Sequence, residues 1–513
     1  MHRLRSGSRL SRRGSGPVAA VVLASLVLAG CTSAGAHDRS TSATSARSVT
    51  PGTSTSSTAS AKPNIVFVLT DDLAWNLVQY MPHVQQLERS GTTLKNYYVV
   101  DSLCCPSRSA IFTGEYPHDD GVFTNGGGDD GGYAAFNEHG NEPNTFGVAL
   151  QKAGYRTGFM GKYLNGYKPV DKPAAGWDEW DAAGNGYPEF NYKLNQNGTT
   201  QHYGKDAKDY LTDVLSSKAT SFIDSSASSS RPFALEVATF APHQPSTPAP
   251  RDATAFAGLG APRTAAFDKQ PANAPAWLTR IPPLSAKDDT SIDVEFRKRV
   301  QSVQAVDDMI GHLEQELQAK GLARNTYFVF SSDNGYHMGD YRLRPGKQTA
   351  FDTDIKVPLM VTGPAVPAGK QVTAMTSSID LAPTFETLGG ASVPSAVDGT
   401  SLVRSWHGQP PDHPRQGVLV EHHGPDTTAT DPDKPPPRSG NPPSYEAIRT
   451  ATALYVEYTD GAREYYDTVA DPNELFNLAA TVPSSRLGPM QRALAALKSC
   501  HGASRCQAAA QVG

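Results

Sequence analysis

Ser102-Leu-Cys-Cys-Pro-Ser-Arg-Ser-Ala-Ile-Phe-Thr-Gly114 is the stretch around which the rest of the chain is organised. Pro106 favours the opening of a helix, because the N–H it lacks has no partner in a first turn anyway, and Gly114 provides the stop. Cys104 then stands at a helix N-terminus. Unpaired N–H groups and the positive end of the helix dipole make that spot an anion site. Arg108, one turn further in, would meet the same anion.

Outward from this helix, four strand-like runs each end in polar or ionisable residues. Asn64-Ile-Val-Phe-Val-Leu-Thr70 is almost continuously apolar, as suits a strand buried on both faces of a parallel sheet, and it runs into Asp71-Asp72. Arg156 to Met160 leads to Gly161-Lys162, Pro232 to Phe240 leads to Pro242-His243, and Asn325 to Ser331 leads to Asp333-Asn334. Open α/β sheets bind ligands outside the carboxyl ends of their strands, so parallel pairing would gather these residues at one edge. The spacing of Phe296, Val300, Val303, Val306, Ile310, Leu313 and Leu317 predicts a core-facing helix over about 292–320, stopped at Gly321. The fold class is therefore layered α/β. Asp71, Asp72, Asp333 and Asn334 offer only oxygen, which suits Ca²⁺, or Mg²⁺, better than zinc.

The chain has 513 residues, enough for more than one folding unit. Its 46 basic and 51 acidic residues give a net charge of -5, so nothing global points to nucleic acid or an anionic membrane surface. Residues 1–31 read as an export signal, with Arg3, Arg5, Arg9, Arg12 and Arg13 ahead of an apolar run, Val18 to Leu28, too short to span a bilayer. Leu28-Ala-Gly-Cys31 resembles a lipobox, which implies acylation of Cys31 and a cell-surface lipoprotein held to the membrane by its lipid anchor, or else a secreted protein. Residues 32–62, rich in Ser, Thr, Ala and Gly, read as a disordered tether. Cys500 and Cys506, six apart, could close a disulfide in an oxidising compartment.

The Cys104-x-Pro-Ser-Arg108 run is similar to the signature of the type I sulfatases, and the resemblance extends from about Pro63 to Leu478. It implies an alkaline-phosphatase-like (sulfatase) fold, a large mostly parallel sheet sandwiched by helices. The catalytic domain would span 63–390 and a smaller C-terminal α+β subdomain 391–513. It also implies that a formylglycine-generating enzyme converts Cys104 to formylglycine, and that Asp71, Asp72, Asp333 and Asn334 bind one Ca²⁺. Lys162, His243 and Lys347 match positions that hold the sulfate or protonate the leaving oxygen, and Arg108 the residue that steadies the aldehyde hydrate. Asp333 would help to deprotonate the attacking hydroxyl. His118, Asn165 and His337 match substrate-contacting positions. A hydrated aldehyde carries two hydroxyls, one to attack sulfur and one to expel sulfate, so the covalent step reverses itself.

The chain departs from many sulfatases in having Leu164 two residues after Lys162, where a His is common; Leu transfers no proton. Lys162-Tyr-Leu-Asn165, Ala241-Pro-His243 and Phe351 to Pro358 resemble the glucosamine-6-sulfatases and the heparan 6-endosulfatases, which moves the expected substrate toward a sulfated amino sugar such as N-acetylglucosamine-6-sulfate. Asp120 and Asp352 depart from those relatives. The alternatives are an aryl sulfatase, a phosphonate or phosphodiester hydrolase on the same nucleophile, or a surface lipoprotein that binds sulfated glycans without turnover. Residues 424–444 read as a surface loop, Ala453–Tyr458 and Glu464–Asp467 as short antiparallel strands, and Pro489–Lys498 as a final helix.

Overall fold

A computed structural model describes residues 62–126, 131–427, 431 and 433–513. The export signal, Cys31 and all but the last residue of the tether lie outside the described residues.

Ten strands form one sheet, in the order Lys370–Val372, Thr92–Leu94, Leu359–Thr362, Thr326–Ser332, Asn64–Thr70, Phe233–Ala238, Arg156–Lys162, Glu179–Ala183, Lys193–Gln196 and Thr199–His202. The five from Thr326–Ser332 to Glu179–Ala183 run parallel, and antiparallel neighbours flank them on both sides. Asn64–Thr70 is central, and its apolar run is used on both sides. Ile65, Phe67 and Leu69 enter one core with Phe112, Phe146 and Phe385. Val66 and Val68 enter the other with Leu87, Phe222 and Val303. Helices Cys104–Thr113, Phe146–Lys152 and Leu381–Gly389 thus cover the first face, and Pro82–Ser90, Leu211–Ala227 and Ala286–Ala319 the second.

The long helix starts at Ala286, earlier than its apolar stripe, because Ser285 and Asp288 cap it reciprocally. Ser285 Oγ accepts from Asp288 N at 3.2 Å and Asp288 Oδ2 accepts from Ser285 N at 2.9 Å.

A second, antiparallel sheet follows the order Gly417–His422, Tyr445–Thr450, Ala453–Tyr458, Arg463–Asp467. It alternates in the same way: Val418, Val420, Tyr445 and Leu454 join the core of the large sheet. Leu419, Ile448 and Tyr455 pack on Met490, Leu494 and Leu497 of helix Ser484–Leu497. That helix begins before the predicted 489–498, since Pro489 costs it one backbone bond without ending it. It is not the last helix either. Cys500 and Cys506 are disulfide-bonded, and Ala503–Ala509 forms a further short helix.

One buried acid gives the fold a pH dependence. Glu236, in the middle of Phe233–Ala238, is 1% exposed, and neither carboxyl oxygen has a hydrogen-bond partner among the described residues. Burial pushes its pKa up to about 8, with Arg108 opposing. A folded-state pKa above the unfolded one favours folding at low pH, and that contribution is lost as pH rises through the folded value. Glu236→Gln should therefore gain on the wild type by about 1–3 kcal/mol between pH 5 and pH 8 in urea unfolding. A constant difference across that range would show that Glu236 does not titrate as described.

Candidate active site

The site is assembled at the carboxyl ends of the parallel strands. Thr70 pairs in register with Ser332, so both chains leave the sheet at one level and Asp71-Asp72 lie beside Asp333-Asn334. Asp333 Oδ1 accepts from the backbone N–H of Asp72 at 3.0 Å and of Asn334 at 2.8 Å, and Asn334 Nδ2 donates to Asp72 Oδ1 at 2.8 Å. Asp72 adopts φ 65° to make this turn, a left-handed conformation that Asp tolerates better than most residues. On the next strands Gly161 pairs with Ala238. A Cβ at 161 would sit 1.8 Å from the Ala238 carbonyl oxygen, so only glycine lets the strand deliver Lys162 there. Lys162 Nζ reaches Asp71 Oδ2 at 2.7 Å.

Helix Cys104–Thr113, every residue of it buried, points its N-terminus at this cluster. Cys104 Sγ lies 3.4 Å from Asp71 Oδ1 and 2.7 Å from Lys347 Nζ, which also reaches Asp72 Oδ1 at 2.7 Å. Arg108 Nε donates to Asp333 Oδ2 at 2.8 Å and its Nη1 to the Lys162 carbonyl at 2.9 Å. Ser107 Oγ donates to the Asp333 carbonyl. His243 donates from Nδ1 to the Gln244 carbonyl at 2.7 Å and from Nε2 to Asp433. Both partners are acceptors only, so the ring is an imidazolium. Burial opposes that charge, and Asp433, Asp72 and Asp71 more than offset it, raising the pKa.

Four buried cations, Arg108, Lys162, Lys347 and the His243 imidazolium, thus face Asp71, Asp72 and Asp333. Burial works to raise the Asp71 carboxyl, but Lys162, His243 and Arg108 hold it well below the usual range. For Asp333 burial wins over Arg108, and its pKa is pushed up to about 6. Asn334 Oδ1 is buried without a hydrogen-bond partner among the described residues. A spare amide oxygen beside carboxylates is a donor set for a hard cation. Asp71, Asp72, Cys104 and His243 also each place a ligand-type atom within 4.8 Å of the others. The residues therefore fit an oxygen-bound cation next to Cys104. The Cys104 thiol itself is raised well above its ordinary pKa, by burial first and then by Asp433 and Asp71, against Lys162 and Lys347. It is a protonated thiol rather than a nucleophilic thiolate.

Asn165 stands at the same pocket, its Nδ2 donating to Asp433 Oδ2 at 2.7 Å. The other two candidate substrate contacts are engaged by the scaffold. His337 is fully buried, with Nδ1 on Asp354 at 2.9 Å and Nε2 on the Ser439 carbonyl at 3.1 Å. His118 lies between Glu421, 2.8 Å away, and the Cys500 carbonyl, 2.9 Å away. Burial lowers its pKa, but Glu421 brings it up to about 9. Leu164 lies in the apolar core.

Asp433 and Asn125 were not legible as site residues. Asp433 falls within 424–444, but its side chain is fully buried among site groups. Oδ2 accepts from Asn125 Nδ2 at 2.9 Å and from Asn165, while Oδ1 faces His243 and lies 3.5 Å from Lys347 Nζ. Burial works to raise this carboxyl, yet Lys347, His243 and Lys162 hold it well below its usual range. The space left over Asp72, His243, Lys347 and Asp433 is about 140 Å³.

The chain matches the sulfatase family model over residues 63–391 and that of the N-sulphoglucosamine sulphohydrolase C-terminal region over 346–496. It is 35% identical over 473 residues to human N-acetylglucosamine-6-sulfatase, covering 86% of this chain and 85% of that one. It is 34% identical over 349 residues to the Drosophila melanogaster extracellular sulfatase SULF-1 homolog, covering 67% of this chain and 31% of that one. Its fold is that of a protein solved in complex with its substrate D-glucosamine-2-N,6-O-disulfate, with a TM-score of 0.72, 21% identity, and 85% and 97% of the two chains covered. A family match across more than half of the chain, on the fold and the cluster just described, makes this protein a member of the sulfatase family and a sulfuric ester hydrolase.

Proposed function

We propose that the protein hydrolyses the 6-O-sulfate ester of a sulfated glucosamine unit, such as N-acetylglucosamine-6-sulfate. The observation that carries this is the convergence of Cys104, Lys162, His243 and Lys347 in one buried cluster around Asp71 and Asp72. Its support on the substrate side is the likeness to N-acetylglucosamine-6-sulfatase over most of both chains.

On this reading Cys104 is converted to formylglycine by a formylglycine-generating enzyme, and the hydrated aldehyde supplies the nucleophile. Asp71, Asp72, Asp333 and Asn334 would hold a Ca²⁺, which neutralises charge on the sulfate oxygens when bound. The chain's own residues do the rest. Lys162 and Lys347 bring two fixed positive charges to the non-bridging oxygens, where a buried site makes them count for more than in water. Arg108 holds Asp333 and Asp71 in place. His243, tied through Nδ1 to the Gln244 carbonyl, presents its Nε2 proton to the pocket and gives it to the departing alkoxide. The same proposal has the protein exported, in line with its likeness to an extracellular sulfatase and with the Cys500–Cys506 disulfide, and acylated at Cys31. Among the described residues no helix is long and apolar enough to cross a membrane.

The test is a panel of N-acetylglucosamine-6-sulfate, an aryl sulfate and a phosphodiester offered to the purified protein. The amino-sugar sulfate is expected to give the highest kcat/KM. A preference for the phosphodiester would overturn the proposal.

A further inference from the structure

We propose that the Asp433 carboxylate is an internal occupant of the sulfate subsite, which a substrate must displace, so that this residue sets the enzyme's affinity for sulfated ligands. The inference rests on the reading of the pocket given above.

Among the described residues, the side chains that bond Asp433 are His243, Lys347, Asn125 and Asn165. His243 Nε2 and Lys347 Nζ face one of its oxygens, and Asn125 and Asn165 donate to the other. A sulfate monoester presents the same chemistry, an anion whose oxygens only accept, to the same donors. Among the described residues the scaffold makes no comparable use of the group: the backbone N–H of Asp433 bonds the neighbouring Asp431, and no apolar core includes the residue. Its side chain is fully buried while Lys434 beside it is exposed. Two anions cannot share these donors, because like charges at contact distance repel strongly in a buried site. The remaining 140 Å³ is also small beside the ~300–1,000 Å³ of typical small-molecule sites. A sulfated sugar therefore enters by exchange, with Asp433 leaving His243, Lys347 and the two Asn side chains as the sulfate takes them. The apparent affinity of any anion is reduced by the fraction of protein in which Asp433 holds the pocket.

The experiment compares wild type with Asp433→Asn, which keeps the shape and removes the charge, and with Asp433→Ala. Binding of inorganic sulfate is measured by calorimetry, kcat and KM are measured on N-acetylglucosamine-6-sulfate, and circular dichroism checks that each protein is folded. Both variants are expected to bind sulfate on the order of 10-fold more tightly, with KM falling in parallel. Unchanged or weaker sulfate binding in two folded variants overturns the inference. So does a drop in kcat with a shifted pH profile and unaltered sulfate affinity, which would make Asp433 a positioning residue for His243. If neither wild type nor variants bind sulfate or cleave the ester, the reading of the pocket itself falls.

Discussion

Cys104→Ala is expected to lower kcat for sulfate-ester hydrolysis by at least ~10⁴-fold, the scale seen when an enzyme loses its nucleophile. The reason lies in the electrostatics around the thiol. Burial, Asp433 and Asp71 keep it protonated despite the two lysines, so the unmodified side chain has little nucleophilic character. The mutation removes one buried sulfur, and its cost in stability should stay near ~1 kcal/mol. Cys104→Ser should be equally inactive, since a hydroxyl at this position is not the aldehyde. Mass spectrometry of the Cys104 peptide, with hydrazide capture of any aldehyde, tests the premise. Full activity in a protein whose peptide carries an intact thiol would remove formylglycine from the mechanism.

Arg108→Ala is expected to destabilise the chelated protein by about 3–5 kcal/mol, because removing one partner of a buried ion pair leaves the other charge uncompensated. Arg108 is 1% exposed, 2.8 Å from Asp333 and 3.9 Å from Asp71, and it also bonds the Lys162 carbonyl. It is thus the tie between helix Cys104–Thr113 and three strand ends. Urea unfolding at neutral pH reads the effect, and a calcium titration of the variant adds a second reading. A divalent cation held by the freed carboxylates should restore part of the loss through binding to the native state alone. A loss below ~1 kcal/mol would mean that the carboxylates relax or take up protons without Arg108.

The fold was legible where a single side-chain period governs a long run. Asn64–Thr70 is apolar at five of its seven positions because both faces of the central strand are covered, and the Ile292-to-Leu317 stripe repeats at helical spacing. It was less legible where the signal is local. The capping box at Ser285 and Asp288 extends the long helix beyond its stripe, and Ala503–Ala509 is a short helix that carries Cys506 of the disulfide. At the site, the residues that follow buried strands converge, since the sheet itself brings their ends together. His118 and His337 have the right chemistry for a ligand, and the structure pairs them with Glu421, Asp354 and two backbone carbonyls, of which all but Asp354 lie far away in sequence. Asp433 is a different case. Nothing in a Pro-, Asp- and Thr-rich stretch separates an acid that turns inward from those that face water, and only tertiary contact with His243 and Asn165 distinguishes it.

The complete enclosure of residues 104–113 also fixes a schedule. On the proposed reading a maturation enzyme cannot grip a side chain sealed behind Asp71, Lys347 and the helix's own backbone, so any oxidation of Cys104 has to be finished while that segment is still an extended, unstructured peptide. Chains that collapse first would be trapped permanently in the inert form, and the share of active protein would then reflect a race between maturation and folding rather than the chemistry of the finished site.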